Sequence, residues 1–169
     1  MLSLLLAVGL PAAAQQAAEP VIKAGFVYNF AKFTEWPLAA MPAGQPVQLC
    51  LAGTDAPTVP AAVFEGKGLQ GRTLAVRRPT RPDELRSCHI VYLAETDERR
   101  QSEVLRALRG LPVLTVGDGE GFAELGGMIG LLVEGGRVQF EVNTEVAQAA
   151  GLKISSQLLR LARQVRGRS

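Results

Sequence analysis

The sequence predicts an α/β fold: a three-layer sandwich with a mostly parallel sheet of about five or six strands, helices on both faces and a C-terminal antiparallel hairpin. Three observations predict it. Short apolar runs alternate with segments of helical period through the middle of the chain. A Gly135-Gly136 pair separates two neighbouring strand-like runs, as in a tight hairpin. With 47% hydrophobic and 20% charged residues, the chain carries enough apolar surface to bury a sizeable core.

From Val21 to Trp36, apolar residues recur at three- and four-residue steps, which predicts an amphipathic helix stopped by Pro37. Ala39 to Pro46 reads as a loop. Val47–Ala52 is a buried strand ending at Gly53, Thr58–Glu65 a short helix, and Gly66–Gly71 a turn. Thr73–Arg77 and His89–Leu93 are strands flanking a helical turn at Pro82–Arg86. Asp97–Arg109 is a helix with Val104, Leu105 and Leu108 on one face and Gly110 as its stop. Val113–Val116 is the next strand, and Gly121–Leu125 a short helix after a glycine-rich loop. Met128–Val133 and Arg137–Val142 form the hairpin. From Glu145 the chain turns helical, with Leu158, Leu159, Leu161, Ala162 and Val165 on the apolar face of a segment from Leu152 to Val165.

The N-terminus reads as a secretory leader. Leu2 to Leu10 is apolar, Pro11 breaks it, and Ala12-Ala13-Ala14 before Gln15 is a small-residue cleavage site. No Lys or Arg precedes the apolar run, and the competing reading is a buried N-terminal helix. The expected organisation is a signal peptide over 1–14, a linker over 15–20 and a single domain over 21–169. Export would place Cys50 and Cys88 where one disulfide forms. Retention in a reducing compartment would leave two buried thiols instead.

A net charge of +2, with Arg160, Arg163, Arg166 and Arg168 clustered at the C-terminus, gives no large basic field. Nucleic acid is therefore not an expected partner. Gly66-Lys67-Gly68-Leu69-Gln70-Gly71 satisfies G-x-G-x-x-G, but a helix precedes it and a strand follows, the reverse of a dinucleotide site. Gly117-Asp118-Gly119-Glu120-Gly121 is better placed, directly after a strand. There Asp118 and Glu120 can cap the following helix, the loop can meet a protein, or its crevice can take a small ligand. His89, the one histidine, lies beside Cys88 at the start of an apolar strand and is expected to be structural. Tyr28, Asn29 and Lys32 lie off the apolar stripe of the first helix; Phe122 is expected first as a core residue, with an exposed anchor in its glycine-rich loop as the alternative.

Several of these stretches together resemble the YfiR-like periplasmic proteins. They are Val21 to Pro37, Cys50 in the first strand, Gly71-Arg72, Cys88-His89-Ile90, Leu114 to Phe122, Gly126-Gly127-Met128-Ile129 with the stretch to Asn143, and Gly151 to Leu159. The resemblance implies a small exported α/β protein, resident in the periplasm, that acts as a negative regulator without catalysis, cofactor or metal. Its partner would be the periplasmic sensory domain of a membrane diguanylate cyclase, or of a sensor kinase. Release by an OmpA-like outer-membrane lipoprotein and a homodimeric state are further implications. The regulated output would be cyclic di-GMP, hence biofilm and exopolysaccharide. By position, Phe122, Glu134, Phe140 and Gln157 fall where partner-binding residues cluster in the family. Cys50 and Cys88 fit one of the family's disulfides; the second has no counterpart, because Leu114 to Phe122 contains no Cys.

Overall fold

The structure, a computed structural model, describes residues 12–167. Residues 1–11 of the expected leader lie outside the described residues. Helix α1 (Ala12–Lys32) includes the expected cleavage site and the stretch 15–20, so the expected linker is helical. Pro20 lies inside this helix. It withholds one amide donor, and the turn around it carries an ion pair between Glu19 and Lys23, 2.7 Å apart.

At its other end α1 stops before Trp36. Thr34–Glu35 (β1) pairs antiparallel with Lys153–Ile154 (β9), and the Thr34 hydroxyl donates to the Phe30 carbonyl. A two-residue strand leaves no periodic trace, so the helical pattern ran through it.

The main sheet contains β2 (Val47–Ala52), β3 (Gly68–Leu69), β4 (Arg72–Arg77), β5 (Ile90–Leu93), β6 (Leu114–Asp118), β7 (Ile129–Glu134), β8 (Arg137–Asn143) and β10 (Gln164–Arg166). Their order is β10-β8-β7-β6-β5-β2-β4-β3. The run β7-β6-β5-β2-β4 is parallel, the β7–β8 hairpin antiparallel, and β10 parallel to β8. The α/β class, the parallel centre and the terminal hairpin agree with expectation; the sheet has eight strands because short strands extend both edges.

At one edge, the turn expected over Gly66–Gly71 is itself a hairpin. Gln70 and Gly71 have φ of 53° and 75°, the paired positive angles of a type I′ turn, and so join β3 to β4. At the other edge, the helix expected over Leu152–Val165 is reduced to one short turn. Helix α3 (Thr144–Ala149) ends at Gly151, helix α4 (Ser156–Leu159) is capped by Ser155, and the chain then extends into β10. The Arg163 amide donates to the Phe140 carbonyl, so the extended chain satisfies an edge of β8 that a helix would leave open. The short helix expected over Thr58–Glu65 is two single 3-10 turns, Ala56–Thr58 and Ala61–Val63, where Pro57 and Pro60 withhold amide donors.

Alternation sorts the strand residues onto two faces. Leu49, Leu51, Ile90, Tyr92, Leu114 and Val116 pack against Val27 and Phe30 of α1. Cys50, Val91 and Leu93 face Leu105 and Leu108 of α2 (Glu98–Leu108), together with Leu85 and Phe122. On this second face Cys50 and Cys88 are joined by a buried disulfide with their Cα atoms 6.0 Å apart.

Candidate functional site

The glycine-rich block begins where β6 leaves the sheet. Phe122 is fully buried, and its ring fills the space between Gly117 and Gly127. A Cβ on Gly117 would lie 2.2 Å from the ring, and one on Gly127 would lie 2.1 Å from it. Both glycines therefore let backbone close on the two edges of an aromatic side chain. Of the two readings of Phe122, the core residue holds and the exposed anchor does not: its ring belongs to the α2 face. Gly121–Leu125, expected as a short helix, is a turn closed by the Leu125 amide on the Gly121 carbonyl.

Asp118 does not cap that turn. Its carboxylate lies 3.3 Å from Lys23 Nζ and accepts the Tyr92 hydroxyl at 3.0 Å. Its main-chain carbonyl accepts Gln101 Nε2 at 2.7 Å. Burial pushes the Asp118 carboxyl above its ordinary range, opposed by the Lys23 charge and the Tyr92 hydrogen bond. Burial also raises the Tyr92 phenol, and the Asp118 charge adds to it. For Lys23 burial acts downward, but Glu19 and Asp118 outweigh it and hold the ammonium above its usual value. This cluster bolts α1 to the carboxyl end of the central strands. Lys23→Met leaves a buried carboxylate without its cation, and urea unfolding is expected to show a loss of about 3 kcal/mol or more.

The exposed rim of the block is charged. Arg163 bridges Glu134 at the hairpin tip (3.3 Å) and Glu120 in the glycine loop (3.7 Å). Arg166 pairs with Glu124 at 2.5 Å. Of the four residues expected to bind a partner, Glu134 and Gln157 are exposed, Gln157 on α4. Phe140 is buried, its ring 4.8 Å from Phe30 and 6.1 Å from Phe26. Phe122 and Phe140 belong to cores on opposite faces of the sheet, so their side chains do not share one surface patch. Phe140 does back a groove of about 490 Å³ that Phe26, Val138, Leu161, Arg137 and Arg163 complete. Leu161 is 74% exposed there. Neither Arg163 nor Leu161 stood out in the sequence, where one belonged to a cluster of arginines and the other to an apparent helix face.

The remaining reactive groups are committed to structure. Cys88 is in the disulfide, so no thiolate stands beside His89. His89 Nδ1 accepts the Gln48 amide at 2.9 Å, and Nε2 lies 2.9 Å from the Ala40 carbonyl, to which it donates in the neutral tautomer. Burial lowers its pKa, the Ala40 contact acts upward, and Arg72 adds to the lowering. A histidine with a depressed folded pKa contributes stability above its ordinary value near 6.5 and loses it as pH falls from there through the folded value. Thermal unfolding is expected to show a midpoint that falls between pH 7 and pH 5, with a smaller fall in His89→Gln. Tyr28 donates to the Gly68 carbonyl at 2.6 Å, while Asn29 and Lys32 are exposed. Among the described residues, no group of three or more His, Cys, Asp or Glu is arranged to hold a metal, and no helix is long and apolar enough to cross a membrane.

Residues 20–163 match the family model DUF4154, described as YfiR/HmsC-like. The chain belongs to the YfiR/HmsC-like family. Two solved structures share the fold of this YfiR/HmsC-like chain. One is a conserved domain protein from Vibrio cholerae O1 biovar El Tor, at TM-score 0.54 and 12% identity, covering 87% of this chain and 60% of that one. The other is the ABC domain from Streptococcus pneumonia solved in complex with L-Trp, at TM-score 0.50 and 13% identity, covering 76% of this chain and 57% of that one. At such identities the likeness is one of architecture alone, an α/β domain, and the YfiR/HmsC-like chain spans less than two thirds of either structure's length.

Proposed function

We propose that this chain is an exported periplasmic regulator that binds and represses the sensory domain of an inner-membrane signalling enzyme, a diguanylate cyclase, and so restrains cyclic di-GMP and biofilm formation. The observation that carries the reading is family membership across residues 20–163. The buried disulfide supports an oxidising compartment. The commitment of Cys88, His89 and Asp118 to internal contacts supports recognition without bond-making.

The face that fits a partner is the rim around Arg163. Glu120 and Glu134 flank it, and the groove backed by Phe140 adjoins it, with Gln157 exposed on α4. Phe122 acts there indirectly, by holding the loop that carries Glu120. Repression then follows from preferential binding to the inactive conformation of the sensory domain. A preference of about 100-fold corresponds to roughly 2.7 kcal/mol, the scale of a few interface contacts. A sensor kinase as the repressed enzyme, release by an OmpA-like lipoprotein, and a homodimer belong to the same proposal and rest on the resemblance alone.

Cyclic di-GMP measured in cells lacking the chain is the test. It is expected to rise several-fold on deletion and to return with the wild-type chain. Glu134→Arg and Gln157→Glu, both on exposed positions, are expected to restore it only weakly while the protein remains folded. An unchanged nucleotide level on deletion would overturn the assignment to a cyclase.

A further inference from the structure

In the crevice that could take a small ligand above Gly117 to Gly121, the Phe122 ring lies against Gly117. The topology supplies another. From β2 the chain crosses to β4 on one side, then returns past β2 to β5 on the other, so the loops leaving β2 and β5 diverge. Open α/β sheets take ligands at such a switch point, outside the carboxyl ends of the strands. Here the two loops touch at their base. The Ala94 carbonyl accepts the Asp55 amide at 2.9 Å, and a Cβ on Gly53 would lie 2.3 Å from that carbonyl oxygen.

The protein fills the innermost anion position itself. The Glu95 carboxylate accepts the Thr54 amide and hydroxyl at 3.3 and 3.0 Å, and the Thr96 and Asp97 amides at 3.1 and 3.0 Å. Outside it opens a crevice of about 480 Å³, within the range of small-molecule sites. Its apolar lining is aliphatic, with Leu85, Leu93, Val104 and Pro82 prominent. Arg81 and Arg100 also line it, Arg81 lying 3.7 Å from each of Asp83 and Glu84, longer than a hydrogen bond. The Arg100 side chain is 60% exposed, and its guanidinium approaches the already satisfied Glu95 at 3.6 Å, longer than a hydrogen bond. Glu103, the other carboxylate of the lining, is paired with Arg99 at 3.3 Å.

We propose that this switch-point crevice binds a small aliphatic carboxylate, its chain on Leu85, Leu93 and Val104 and its anionic head on Arg100 with Arg81 beside it. The aliphatic lining selects the chain. The two arginines select the charge, since a guanidinium meets a carboxylate through two parallel hydrogen bonds. This site is separate from the Arg163 rim and stands whether or not that rim binds a cyclase.

Isothermal titration calorimetry on the oxidised protein, with octanoate as probe and 1-octanol as its uncharged counterpart, tests the proposal. Octanoate is expected to bind one saturable site at least about tenfold more tightly than octanol. Arg100→Gln, a surface change, is expected to lower octanoate affinity by about tenfold and leave octanol unaffected. Val104→Trp, which fills the crevice, is expected to abolish octanoate binding in a protein that still unfolds cooperatively. Absence of saturable octanoate binding to the wild-type protein, or equal affinity in Arg100→Gln, would overturn it.

Discussion

Phe122→Ala is expected to lower the free energy of unfolding by about 3–5 kcal/mol, read by urea denaturation. The side chain is fully buried, and the two backbone segments around it have no side chains of their own to collapse into the void. The reciprocal change is informative. Gly117→Ala and Gly127→Ala drive a Cβ into the same ring and are each expected to cost about 1–3 kcal/mol or more. In the Phe122→Ala background the same substitutions enter empty space, and most of their cost is expected to vanish. That coupling is a double-mutant cycle between positions in contact. Additive costs would show that the glycines serve something other than the ring.

The second large effect concerns the disulfide. Cys50 and Cys88 close a loop across a sequence separation of 38, worth roughly 4 kcal/mol in the chain-entropy model. The paired substitution Cys50→Ala with Cys88→Ala is expected to lose about that amount, with a small further cost for two buried sulfurs. Domains are commonly stable by only about 5–15 kcal/mol, so the change removes a large share of the total. A loss below about 1 kcal/mol would mean that the β2 strand and the Pro82–Ser87 turn are held together without the bond.

Much of the fold was legible in the chain. β2, β5 and β6 are short apolar runs ended by glycine or polar turns, and both of their faces are buried, so the pattern and the structure agree. The helix expected over Asp97–Arg109 is α2 with Asp97 as its cap, and the Gly135-Gly136 pair makes the hairpin turn with φ of 59° and 73°. What escaped was set by partners distant in sequence. β1 and β9, which pair with each other, and β10, which pairs with β8, are strands of two or three residues, too short for any period. The apolar residues from Leu158 to Val165 fit a helix locally, and only the open edge of β8 makes extension the better state.

The candidate site divides in the same way. Glycine density drew attention to the block after β6, but a sequence cannot show that Gly117 and Gly127 meet one ring. Phe122 therefore read as a core residue or an outward anchor, with no sign that the two glycines close on its ring. Arg163 became visible only through the extended chain leading into β10, which brings it to Glu120 and Glu134.

The proposed regulatory function depends on one mechanical statement: a membrane enzyme is silenced from outside by occupation of its sensor, with no reaction carried out by the chain itself. Proteoliposomes holding the cell's diguanylate cyclase, with GTP turnover followed as oxidised chain is titrated against the sensor side, measure this directly. The account predicts a saturable fall in turnover that Glu134→Arg shifts to higher concentration. Turnover that stays constant up to saturating chain, with the protein folded and its disulfide intact, would contradict it.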